Sequence, residues 1–116
     1  MKNRAFQDRL RFAWSGIRSA WRSETSLRTQ VWMTLPLLVV LIILRPALVW
    51  WGLCGVMVSL VIAAELINTA LEHLTDHLHP EQHPRIKIVK DCASAAVLIL
   101  SVGALWVALM MLLATL

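Results

Sequence analysis

The stretch Cys92–Leu116, CASAAVLILSVGALWVALMMLLATL, carries no charged residue. A helix needs about 20 mostly apolar residues to cross the hydrocarbon of a bilayer, so this stretch suffices alone. Working backward, Pro46–Ala64 is also free of charge. It reaches span length by running on through Glu65 to about Leu71. Val31–Leu44 is a third uncharged run, long enough to span when it starts near Leu27 and ends at Arg45-Pro46. These runs account for a composition of 59% hydrophobic and 16% charged residues in 116, where a soluble domain has about 25% charged. Disorder is excluded by that apolar content, and two Cys do not make a disulfide scaffold. The first apolar run also starts too late, behind too many charges, for a secretory signal peptide. The sequence therefore predicts an all-α membrane protein in one domain, 1–116. A surface helix covers residues about 4–25, and transmembrane helices cover residues about 27–45, 48–73 and 89–114.

The residues before the first span set its surroundings. Phe6, Leu10, Ala13, Ile17 and Trp21 recur at spacings of three and four, and Arg9, Arg11, Arg18 and Arg22 fall elsewhere on the wheel. A basic amphipathic helix beside a span lies in the membrane interface, either as a plain anchor or as one wall of a substrate site. Gly16 is where this helix is expected to bend. Lys2, Arg4 and five further arginines precede the first span, and Arg85, Lys87 and Lys90 lie between the second and third. Only Arg45 separates the first from the second. The positive-inside rule then puts the N-terminus and the second connection in the cytoplasm and the C-terminus outside. Trp50 and Trp51 begin the second span where an outer aromatic belt would sit. The net charge of +4 calls for no nucleic acid. Anionic headgroups or a phosphate-bearing substrate answer it better.

The chemistry is concentrated in the second span, in Ala64-Glu65-Leu66-Ile67-Asn68-Thr69-Ala70-Leu71-Glu72-His73-Leu74-Thr75-Asp76. At 100° per residue, Asn68, Glu72 and Asp76 fall roughly −60°, −20° and +20° from Glu65. Three acids and an amide thus share one face. Glu65 sits roughly 10 Å deeper than Glu72, inside the hydrocarbon. An intramembrane carboxylate costs about 2.5–3.5 kcal/mol on insertion scales, so it faces protein or water and usually works. Burial favours its neutral form, which suits a proton acceptor. The alternative is a Glu that only fixes helix packing.

Other polar residues can meet that face. Glu24 and Arg28 are spaced for an i, i+4 ion pair. Lys90-Asp91 opens the third span with Ser94 one turn deeper; there Lys90 can snorkel and Asp91 can serve as an N-terminal helix charge. Glu24 and Glu72 supply the hard oxygens that Mg²⁺ takes beside substrate phosphates. No glycine falls in a phosphate-binding loop. His73 and His77 are spaced to chelate zinc, but no third strong ligand accompanies them, so loop histidines at a membrane surface are the better reading. Cys54 and Cys92 read as small packing residues, and no serine carries a nucleophile motif.

The run Glu65-Leu66-Ile67-Asn68-Thr69-Ala70-Leu71-Glu72, followed by Lys90-Asp91-Cys92-Ala93-Ser94-Ala95-Ala96-Val97-Leu98, resembles the small bacterial integral-membrane diacylglycerol kinases. So does the upstream stretch Gly16–Arg28, GIRSAWRSETSLR. The resemblance implies a homotrimer in a bacterial inner membrane whose active sites are shared between subunits. It implies transfer of the ATP γ-phosphate to the hydroxyl of diacylglycerol at the inner interface, giving phosphatidic acid. By the same resemblance Glu65 is the general base, with Asn68 beside it. Glu24 and Glu72 hold Mg²⁺ with ATP. Glu81, His83, Lys90 and Asp91 contact the nucleotide. Trp14, Arg28 and Ser94 line the lipid side with Glu65.

The sequence departs from the family pattern in places. Ala13 precedes Trp14 where diacylglycerol-specific members often have Ser. Gln30 stands where the best-known branch has an acid. Arg4 or Arg9 takes the place of a nucleotide-contacting arginine. The loop His79-Pro80-Glu81-Gln82-His83-Pro84 and the run Lys87–Cys92 look closer to the undecaprenol kinase branch, so undecaprenol is the alternative substrate. Two non-enzymatic readings stand beside these. A transporter subunit needs polar residues along the outer half of the second span, which offers only Ser59 and Cys54. A membrane scaffold needs no convergence of Glu24, Glu72, Lys90 and Asp91. Small residues such as Ala93, Ala95, Ala96 and Gly103 favour helix association.

Overall fold

A computed structural model describes residues 5–116. It is built of four helices: α1 (Phe6–Ser23), α2 (Thr25–Leu44), α3 (Leu48–Leu78) and α4 (Pro84–Thr115). Arg4 and Lys2 lie outside the described residues. The last three helices are each long and apolar enough to cross a membrane, so the chain is an integral membrane protein. α3 and α4 pack along their length, α2 lies against α3, and α1 touches α2 and α3 near its C-terminal end.

Every helix boundary has a local cause. Residue 24 alone is non-helical between α1 and α2, with φ −121° and ψ 113°. α2 ends at Arg45, whose φ of 48° is left-handed, and the buried Pro46 then prevents the helix from resuming at once. Pro84 opens α4 at a position where its missing N–H costs nothing. The His83 ring accepts a hydrogen bond from the Arg85 amide at 3.1 Å and caps the helix. α4 thus begins at Pro84 rather than near residue 89. Asp91 is two turns inside it and carries no N-terminal helix charge. α3 likewise runs on to Leu78, because a helix in water-facing headgroups needs no apolar residues to continue. α1 is helical straight through Gly16, so the expected bend is absent there. Gly16 borders the groove between α1 and α3, with Ala13, Ala20, Leu66 and Ala70.

The interior is thin. Ala20, Leu27, Leu41, Cys54, Val61 and Met111 are the buried apolar residues. Leu41, Cys54 and Met111 form one cluster at the end of the spans opposite the α3–α4 loop, with Cys54 Sγ 4.0 Å from Met111 Sδ. Trp50 and Trp51, expected as an outer belt, are half-buried against this cluster. At Gly103 a Cβ would lie 3.2 Å from Met57 Cε, so this glycine lets α3 and α4 close up. Elsewhere Leu, Ile, Val and Trp side chains on all three spans point outward. That surface is stable only against lipid or other membrane helices.

One stripe of α3 faces its neighbours throughout: Cys54, Val61, Glu65, Thr69 and Thr75 are its buried residues. The stripe is apolar in its first half and polar in its second. The polar half sits beside the junction of α1 and α2.

Candidate functional site

Glu65 is 3% exposed on α3. The Thr69 hydroxyl donates to the Glu65 backbone oxygen at 2.9 Å, so that threonine leaves the Glu65 carboxyl untouched. One turn along, Asn68 Nδ2 donates to Glu72 Oε1 at 3.3 Å. Asn68 Oδ1 is buried and has no hydrogen-bond partner.

Glu24 reaches this face through the break between α1 and α2. It occupies the N-cap position of α2, but its carboxyl does not cap the helix and lies near enough to Glu72 for each to bear on the other's charge. Burial pushes the Glu24 carboxyl above its ordinary range. The charge of Glu72 pushes the same way, and His73 and Arg28 oppose them.

Arg28 makes no salt bridge to Glu24 among the described residues. The i, i+4 spacing is used differently. Arg28 Nη1 donates to the backbone oxygens of Trp21 and, at 3.4 Å, Arg22, while Nη2 donates to Thr25 Oγ1 at 3.2 Å. The guanidinium thus satisfies carbonyls at the end of α1 and favours that negative helix end. Ser23 Oγ lies 3.4 Å from His73 Nε2 and ties the same elbow to α3.

The remaining candidates fall in other places. His79, Pro80, Glu81, His83, Lys90 and Asp91 are among the residues lining an open cleft of about 520 Å³ at the α3–α4 loop. Four of the six nucleotide candidates are therefore neighbours there, while Glu24 and Glu72 belong to the elbow. Lys90 donates to Asp76 Oδ1 across the two helices, and Lys87 donates to Asp91 at 2.6 Å within α4. Asp76 was expected on the Glu65 face, but it turns outward to this pair because α3 continues past the packed elbow. Trp14 is exposed on α1 with the Arg18 guanidinium 5.8 Å from its ring centre. Arg9 is exposed on the same helix, and Ser94 is exposed on α4.

Two residues were not singled out as site residues from the sequence. Gln30 and Ser101 hydrogen-bond at 3.3 Å, from α2 to α4. A polar side chain at the start of one apolar run, Gln30, and one within another, Ser101, was the available signal.

A family model described as prokaryotic diacylglycerol kinase matches residues 11–112. The chain belongs to this family. It is 37% identical over 84 residues to a diacylglycerol kinase of Helicobacter pylori, covering 72% of this chain and 66% of that relative. It is 33% identical over 88 residues to the diacylglycerol kinase of Escherichia coli K12, covering 76% of this chain and 72% of the other. It is 26% identical over 87 residues to the undecaprenol kinase of Bacillus subtilis, covering 75% and 71% respectively. The chain thus spans about two thirds of the length of the Helicobacter relatives it matches.

Kinase activity typically goes with a divalent cation. Among the described residues no three His, Cys, Asp or Glu side chains converge. Glu24, Glu72 and the unpartnered Asn68 Oδ1 are the oxygen-bearing side chains on this face of α3 and at the elbow. Mg²⁺ commonly takes one or two carboxylates and completes its shell with water and substrate phosphates.

Proposed function

We propose that this chain is an ATP-dependent lipid kinase of the bacterial inner membrane. It transfers the γ-phosphate of ATP to the hydroxyl of diacylglycerol and releases phosphatidic acid and ADP. The observation that carries this reading is the meeting of Glu24 and Glu72 beside a Glu65 that is 3% exposed. A packing role explains one buried acid. It gives no reason to bring two further acids to it, which a membrane protein does only at a cost.

In the proposed reaction the Glu65 carboxylate takes the proton of the lipid hydroxyl. The hydroxyl oxygen forms a bond to the γ-phosphorus as the bond to the β–γ bridging oxygen breaks. Phosphoryl transfer asks mainly for positioning and charge stabilisation. Glu24 and Glu72 would hold Mg²⁺, which when bound offsets phosphate charge. The Asn68 amide orients Glu72 through the bond it already makes. Lys90 and Asp91, with Glu81 and His83, would receive the nucleotide in the loop cleft. Lys90 must leave Asp76 to do so. Trp14, Arg28 and Ser94 are assigned to the lipid side, with Arg28 acting through the elbow it fastens. The N-terminus and this site face the cytoplasm in this reading, and the C-terminus lies outside. The outward-facing apolar surface and the open loop cleft are consistent with a homotrimer that completes each site from a neighbouring copy.

A second reading, undecaprenol as the alcohol, is favoured by the match to the Bacillus subtilis undecaprenol kinase. The test is transfer of label from γ-labelled ATP by detergent-purified protein with Mg²⁺. Diacylglycerol and undecaprenol are offered in parallel, with a chelator control. Label in phosphatidic acid supports the first reading. Label in undecaprenyl phosphate alone replaces the substrate. No label in either lipid from a folded protein overturns the kinase assignment.

A further inference from the structure

The loop between α3 and α4 carries a histidine at each end. His79 is the C-cap residue of α3, and His83 is the N-cap residue of α4. Their ring centres lie 5.3 Å apart, with the planes tilted by 57°. Each ring meets the backbone through Nδ1, and the two bonds run in opposite directions. His79 Nδ1 lies 3.1 Å from Glu81 O. A carbonyl oxygen only accepts, so His79 Nδ1 carries a proton. His83 Nδ1 lies 3.1 Å from the Arg85 amide nitrogen. A backbone N–H only donates, so His83 Nδ1 is bare and the neutral ring holds its proton on Nε2.

This difference decides what acid does to each bond. Imidazole is the side chain whose ordinary charge change falls between pH 5 and 8, and once charged it carries N–H on both nitrogens. His79 then keeps its bond to Glu81 O. His83 loses its bond, because a proton on Nδ1 faces the Arg85 N–H. The common N-cap residues Ser, Thr, Asn and Asp meet no such reversal.

No other group in the first turn of α4 is placed to take over. Pro84 has no N–H, so that of Arg85 is the first the helix must satisfy, and the i, i+4 ladder starts only with Lys87 N to His83 O at 2.9 Å. The turn contains no acidic residue, and a charged ring there sits at the positive helix end beside Arg85. The other charged groups lining the cleft with both rings are Glu81 of the loop and Lys87, Lys90 and Asp91 of α4. Lys87 holds Asp91 at 2.6 Å, and Lys90 holds Asp76 of α3. Glu81 makes no ion pair among the described residues. It is the acid left for a charged ring, and a ring that turns to it leaves the Arg85 N–H.

We propose that His83 is a pH-sensitive cap on α4. Neutral, it holds the first turn of the helix and with it one wall of the loop cleft. Protonated, it releases both. His79 is its neighbour but not the switch. The cap belongs to the fold and does not rest on the kinase reading.

The test is amide hydrogen exchange on the purified full chain in detergent at pH 8 and pH 5, without ATP or lipid, corrected for the intrinsic pH dependence of exchange. The segment 85–90 is expected to exchange about 2- to 30-fold faster at pH 5, the range that loss of an N-cap corresponds to, while the spans stay protected. His83→Asn, which supplies an acceptor that does not titrate, is expected to stay slow at both pH values. His83→Ala is expected to be fast at both. His79→Gln is expected to keep the pH dependence of the unmodified chain. Equal protection of the unmodified chain at the two pH values overturns the proposal. Acid-induced loss that persists in His83→Asn, or that vanishes in His79→Gln, overturns it too. So does loss of protection in the spans together with 85–90, since global unfolding then explains it. No substrate enters the measurement, so each of these results is separate from the inactivity that would refute the kinase reading.

Discussion

Replacing Glu65 by Gln separates a reacting carboxylate from a packing one. The exchange is nearly isosteric and removes the carboxylate that would act as base while keeping a polar group of the same shape. A general base contributes about 10²- to 10⁴-fold, which at 1.36 kcal/mol per decade is about 2.7–5.4 kcal/mol of barrier. Stability should move the other way or not at all. The Thr69 hydroxyl bonds the Glu65 backbone oxygen at 2.9 Å and survives the exchange. The residue is 3% exposed, so a neutral amide is easier to bury there than a charge. The neighbouring Glu24 and Glu72 lose a like-charged companion. The expected result is kcat lowered at least about 100-fold, KM for ATP within about threefold of the parent on the uniform-binding argument, and a melting temperature equal to or above the parent. The assay is label transfer to the lipid that proves active, with melting followed in the same detergent. Turnover retained within about tenfold of the parent, well short of what removal of a general base costs, would refute the assignment of Glu65 as base. A variant that loses activity and melting temperature together would show that the carboxylate holds the helices.

Three further outcomes follow from the geometry. Arg28→Lys keeps the charge but cannot spread donors over Trp21, Arg22 and Thr25 as the guanidinium does; it should destabilise the chain by about 1–3 kcal/mol and quicken protease cleavage next to residue 24, measured by limited proteolysis and melting. Asp76→Asn removes the Lys90 partner on an exposed face; stability should change by less than about 1 kcal/mol, while KM for ATP falls because Lys90 is freed and the cleft loses a negative charge. Glu24 is raised above its ordinary 4.5 by burial first and Glu72 second, so the folded chain holds a proton there that the unfolded chain has released. Stability of the protein kept in chelator should therefore be greatest below pH 4.5 as far as this group is concerned and decline as pH rises through the folded value; Glu24→Gln should flatten that decline in melting scans taken at a series of pH values.

Much of the architecture was legible because the membrane imposes a simple rule: long uncharged runs cross it. Cys92–Leu116 gave one span by that rule alone and Pro46–Ala64 a second once it ran on through Glu65, and the 3.6-residue period put Glu65, Asn68 and Glu72 on one face. The helix ends were less legible. Hydropathy marks where a helix leaves the hydrocarbon, whereas α3 and α4 run on to Leu78 and back to Pro84, where capping by His83 and the proline at its start decide the boundary. Side-chain partners were less legible still. Arg28 has two choices of partner at comparable sequence distance, and only the turn of the chain at residue 24 shows that backbone carbonyls win. Asp76 shares the angular position of Glu65 but not its surroundings, since the elbow that covers Glu65 does not extend that far. Gln30 and Ser101 are separated by most of the chain, and no periodicity links them.

The elbow explains why the acids meet at all. Ser23-Glu24-Thr25 has neither Gly nor Pro, so nothing in its own residue types demands a break. The break comes from the change in pattern on either side. α1 carries a basic amphipathic face that is satisfied lying in the interface, and α2 is apolar nearly all round and is satisfied only by crossing. One straight helix could not do both. The chain therefore turns at residue 24, where the Glu24 amide still bonds Ala20 O at 2.8 Å and Arg28 takes up carbonyls that the turn exposes. The turn leaves the Glu24 side chain without a capping duty and directs it to Glu72 on α3. Moving the break by one residue would put Ser23 or Thr25 there instead and leave Glu72 without its partner. The membrane surface, which forces the bend, thus also sets the depth at which the carboxyls converge, and the buried Glu65 sits deeper along α3 than Glu72.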